Sequence, residues 1–139
     1  MTVSAVRLLL ALIFLGVAAG CGGDRYIVVG TAKAPSTSGF VIIEDASERS
    51  AVVTVHLEQL HPAKNLDPAF RAYVVWFVPP QGTPVRAGSL KYKPDERLGE
   101  LQARSPFGKF IVKVTAEAND TPESPGDFLV ASQEITLED

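Results

Sequence analysis

The stretch Ala51-Val52-Val53-Thr54-Val55-His56-Leu57-Glu58-Gln59-Leu60 alternates apolar and polar side chains along most of its length. Val53, Val55 and Leu57 project to one side, and Thr54, His56 and Glu58 to the other. A period of two belongs to an antiparallel strand with one buried face and one wet face. His61-Pro62 ends the run. Working outward, residues 26–29 and 40–44 read as strands, separated by the turn-forming Pro35-Ser36-Thr37-Ser38-Gly39. Downstream, Asp67-Pro68-Ala69-Phe70 reads as one helical turn, with Asp67 as cap and Pro68 at the first helical position. Further strands are expected at residues 73–78, 85–93, 99–103, 109–116 and 128–137. In the strand at 109–116, Phe110, Val112 and Val114 should face inward, and Lys113 and Thr115 should face solvent. Eight short strands with no amphipathic helix predict an antiparallel two-sheet, immunoglobulin-like sandwich.

The amino-terminal end has a different logic. Arg7 precedes the uncharged apolar run that starts at Leu8, and Ala18-Ala19-Gly20 leads directly into Cys21. A basic start, an apolar centre and small residues before a cleavage point make a secretory signal. A cysteine immediately after the small residues resembles a lipobox, with Ala18 standing where leucine is commoner. The uncharged run from Leu8 to Gly23 has 16 residues, short of the roughly 20 that a spanning helix needs. Cys21 is the only cysteine, so no disulfide framework is available to an exported domain. Residues 1–20 are therefore expected to be a signal peptide, residues 21–24 a lipidated tether, and residues 25–139 the sandwich domain. With so short a tether, the domain should start within about 15 Å of the membrane, at roughly 3.5 Å per extended residue. Gly22 rather than aspartate follows Cys21, which under the enteric sorting rule predicts the outer membrane in a Gram-negative source.

Charge and motif content narrow the chemistry. Loss of residues 1–20 leaves 119 residues, and Arg7 is the one charged residue removed, so 12 basic side chains face 16 acidic ones. That balance offers no basic patch for nucleic acid. A blue-copper site needs a Cys thiolate, two His and usually a Met, but here Cys21 is committed to the anchor and Met1 is the only methionine. His56 and His61 differ by an odd separation, which places them on opposite faces of a continuing strand. No serine sits in a Gly-x-Ser-x-Gly turn. Glu117, Asp120, Glu123 and Asp127 share an acidic loop whose spacing matches no EF-hand. The expectation is a non-enzyme with no cofactor and no metal.

Tyr73-Val74-Val75-Trp76-Phe77-Val78 breaks the alternation, being apolar on both faces. Two readings remain open. The segment is a central strand whose second face is covered by the loop 117–127 or by the turn 62–71. Otherwise it presents an apolar contact patch with Tyr73, Trp76 and Phe77 as candidate partner-binding residues.

Leu60-His61-Pro62, the run 73–78, Gly88 and Gly99 together resemble the extracytoplasmic domain of anti-sigma-K-type factors. Phe110-Ile111-Val112-Lys113-Val114-Thr115-Ala116-Glu117, followed by Pro125 and Gly126, is similar to the end of the same domain. The likeness spans residues 51–137. It implies a β-sandwich outside the membrane and a sensing or binding role. In that family a transmembrane helix joins the sandwich to a cytoplasmic sigma-factor-binding domain. Here a signal and Cys21 stand in its place, so sigma-factor inhibition does not carry over. The expected function is a membrane-anchored, non-enzymatic envelope lipoprotein that binds a protein partner or a small ligand. The alternative is a structural or accessory subunit of an envelope or secretion complex.

Overall fold

The computed structural model describes residues 23–137, so the expected signal peptide and the expected lipidation at Cys21 lie outside the described residues. Among the described residues, nine strands and one short helix follow in order: β1 (Asp24–Val29), β2 (Ser38–Ser47), β3 (Ser50–Glu58), α1 (Ala63–Leu66), β4 (Ala72–Val78), β5 (Val85–Ser89), β6 (Lys91–Lys93), β7 (Leu98–Ser105), β8 (Lys109–Glu117) and β9 (Leu129–Thr136). They form two antiparallel sheets, ordered β1-β2-β3-β7-β6 and β5-β4-β8-β9. The sheets pack face to face as a β-sandwich.

The alternating stretch becomes β3 and lies at the centre of the first sheet, between β2 and β7. Val53, Val55 and Leu57 are buried against the second sheet, as the period of two requires. From the facing sheet, Tyr73, Val75 and Phe77 of β4 and Phe110, Val112 and Val114 of β8 complete the core. Phe77 and Phe110 meet edge to face, 5.3 Å between ring centroids, a favoured aromatic geometry. Each fully buried side chain of this kind contributes about 1.5–3 kcal/mol.

Two expectations need correction. The single strand read at 85–93 is two strands in different sheets: β5 pairs with β4, and β6 pairs with β7. The chain changes sheet at buried Leu90, whose N–H donates to the Tyr73 carbonyl. Gly88 permits the change, because its φ of +148° suits glycine alone. The β4–β5 register also slips between Val75 and Trp76. The second correction concerns the helix. It forms at Ala63–Leu66, and Asp67 ends it instead of capping its start. The Asp67 carboxylate accepts the Ala69 N–H in a local turn.

Candidate functional site

The candidate residues Tyr73, Trp76 and Phe77 all lie on β4, which has β5 on one side and β8 on the other. Tyr73 and Phe77 face the inter-sheet core, and Trp76 lies on the opposite, outer face of the sheet. All three are buried, with exposures of 3%, 0% and 1%. The contact-patch reading is therefore corrected, since none of them is offered to a partner on the folded surface.

The cover over the outer face is the segment between β8 and β9. It leaves β8 after Glu117 and reaches β5, where Ser89 Oγ donates to the Asp120 carbonyl and Arg86 Nη1 to the Pro122 carbonyl. It then returns to β9, which lies beyond β8. With β4 between β5 and β8, the loop crosses β4 on the way out and again on the way back. Val74 and Trp76 consequently have no exposed surface.

A chain of hydrogen bonds fastens this lid. The Trp76 indole N–H donates to Thr115 Oγ1 at 2.9 Å. The Thr115 hydroxyl donates to Glu117 Oε2 at 2.5 Å, and the Gly126 backbone N–H donates to the same oxygen at 2.9 Å. The chain ends on a carboxylate, so its last links are charge-assisted and stronger than neutral ones. Thr115, expected to face solvent, points outward but is only 1% exposed. Glu117, at the start of the acidic loop, turns under the lid. The composition of the loop showed acidity, but nothing local in the sequence marked Glu117 as the latch.

The Tyr73 hydroxyl donates to the His61 carbonyl, and the Tyr92 hydroxyl to the adjacent Leu60 carbonyl. Two phenols thus pin the segment that follows β3. Burial pushes the Tyr73 phenol well above its usual pKa, and nearby Tyr92 adds to the rise. The Tyr92 phenol is also raised by burial, with Arg97 pulling the other way. Beside both rings lies a cavity of about 240 Å³, to which Arg71 and Asp120 also contribute.

The two histidines have different neighbours. His56 is on the outer face of β3, where Nδ1 meets Glu100 at 2.5 Å and Nε2 meets Glu58 at 3.1 Å. Its ring stacks on Phe40, with centroids 4.5 Å apart. His61 instead faces Ser36, with Nε2 3.4 Å from Oγ. The two Glu carboxylates occupy separate nitrogens of His56 and do not converge on one point. Among the described residues, no group of three or more His, Cys, Asp or Glu side chains could hold a metal. No helix among them is long and apolar enough to cross a membrane.

No family model, curated protein or solved structure matches the chain.

Proposed function

We propose that the chain is an envelope lipoprotein anchored through acylated Cys21, with its sandwich acting as a non-enzymatic binding or sensing module outside the cytoplasm. In a source with an outer membrane, that membrane is its location. The observation that carries the reading is the closeness of fold and anchor. β1 begins at Asp24, three residues past the chain's only cysteine. It pairs with β2 over its whole length, from Asp24 opposite Ile43 to Val29 opposite Ser38. A lipid on Cys21 would hold the folded sheet directly at the headgroup layer.

The strand order supports an immunoglobulin-like assignment. Taking β2, β3, β7 and β6 as strands A, B, E and D, and β5, β4, β8 and β9 as C′, C, F and G, gives the order of that fold. β1 is then an extra edge strand. The tryptophan also departs from antibody domains: Trp76 is on the C strand but lies outside the inter-sheet core. Likeness to the extracytoplasmic domain of anti-sigma-K-type factors belongs to the same reading and carries a sensing role without sigma-factor inhibition. Partner contact is no longer assigned to Tyr73, Trp76 or Phe77.

Fractionation of cells carrying Cys21→Ala tests the anchor. The variant should leave the membrane fraction or accumulate unprocessed, and unchanged membrane retention of a processed chain would contradict the reading. Copurification of the wild-type protein separates a module from a subunit. A stable stoichiometric complex would favour the accessory-subunit role.

A further inference from the structure

Among the described residues, three large apolar side chains stand exposed: Ile27 and Val29 at 70% each, and Val85 at 40%. Ile27 and Val29 flank buried Val28 on β1, so both project from the outer face of the first sheet. Ile27 lies directly opposite Phe40 of β2, and Arg25 opposite Ile42. The Arg25 guanidinium sits 3.9 Å over the Phe40 ring. One corner of the sheet therefore presents an apolar surface with a cation at its margin. The opposite edge strand, β6, is three residues long and carries exposed Lys91 and Lys93, the usual protection of a free edge.

The position of this corner along the chain decides what covers it. Ile27 is six residues from Cys21 and Val29 is eight. At most about 3.6 Å per residue separates Cys21 from the first residue of β1. We propose that the outer face of β1 and β2 lies against the bilayer that holds the Cys21 acyl chains, with Ile27 and Val29 in the interface and Arg25 at the lipid phosphates. The proposal rests on the lipoprotein reading above and adds an orientation: the β1–β2 edge of the first sheet rests on the membrane, and its far edge at β6, with exposed Lys93, is held away from it. Anchoring makes the second contact intramolecular, so two apolar side chains and one cation suffice where a free domain would not bind. The second sheet, with its lidded face, then points away from the bilayer.

The test uses the full lipoprotein in vesicles of phosphatidylethanolamine and phosphatidylglycerol, with acylation of Cys21 checked by mass. A lipidated Cys21 has no free thiol, so an environment-sensitive fluorophore attaches only at an introduced cysteine in I27C, V29C or the far-edge control K93C. All three positions are exposed, and the labels leave the core intact. Labels at 27 and 29 should lose most of their emission to doxyl-labelled lipid and resist aqueous iodide, with the reverse at 93. Equal iodide access at all three, on an acylated chain, overturns the orientation and leaves the anchor standing. An unacylated Cys21 overturns both. A disulfide between two copies of I27C, with no quenching by doxyl lipid, assigns the patch to a second copy and overturns the membrane contact.

Discussion

Replacing Trp76 with alanine empties a site with no exposed surface and removes the indole donor from Thr115. The unfolding free energy measured in denaturant should fall by about 3–5 kcal/mol; a loss below about 1 kcal/mol would place Trp76 at the surface. It is the only tryptophan, so blue-shifted emission shielded from iodide is expected from the wild-type protein. Glu117→Ala tests the latch, since it leaves the Thr115 hydroxyl and the Gly126 N–H without their acceptor. An expected cost of about 1–3 kcal/mol follows from the two unmatched donors. Hydrogen exchange at Gly126 should quicken, and unchanged exchange there would show that Glu117 does not hold the lid. Tyr73 gives a pH prediction. Its folded-state pKa lies above the unfolded value of about 10. Its contribution is therefore complete below that pH and is lost as pH rises beyond it. Absorbance of the phenolate should appear together with alkaline unfolding; a Tyr73→Phe variant with the same alkaline midpoint would contradict this. At this scale the sequence revealed a strand apolar on both faces. It offered the loop 117–127 or the turn 62–71 as the cover, and the loop is the one that forms it; no local pattern chooses between the two, because the covering segment follows Trp76 by more than 40 positions.

The elements show where a local pattern suffices. β3, β4 and β8 fall close to their expected bounds because each is a long run of β-branched and aromatic residues with its core face marked. β2 extends beyond its apolar residues to Ser47, through a bulge between Glu44 and Ser47. Backbone pairing there proceeds with exposed side chains, so no hydrophobic period announces it. The division of residues 85–93 between two sheets was hidden for a related reason. Alternation describes which way a side chain faces and carries no information on which sheet receives it. Gly88 is the hinge, and a Cβ there would meet Leu101 Cδ1 at 3.2 Å in a backbone conformation foreign to other residues. Gly88→Val should therefore destabilise the domain by more than about 1 kcal/mol. Denaturant unfolding checks the figure, and a neutral effect would mean the sheet change does not depend on that conformation.

Across the whole molecule, two sheets share one core, and the second sheet carries its own cover. That cover turns the one segment suggestive of a binding patch into interior. The most exposed large apolar side chains among the described residues are on the other sheet, where Ile27 and Val29 follow closely on Cys21. The all-β class was legible from strand count and turn spacing, whereas the contact surface was not. Residues 26–29 read only as a strand, with every side chain apolar and no face marked, and the pairing of β1 at a sheet edge is what leaves Ile27 and Val29 exposed. The proposed role depends first on the state of Cys21, and the mass of the mature amino-terminal peptide tests it most directly. An envelope lipoprotein yields a peptide that begins at Cys21 and carries a thioether-linked diacylglyceryl group. A peptide that begins elsewhere, or one with Cys21 as a free thiol, would contradict it.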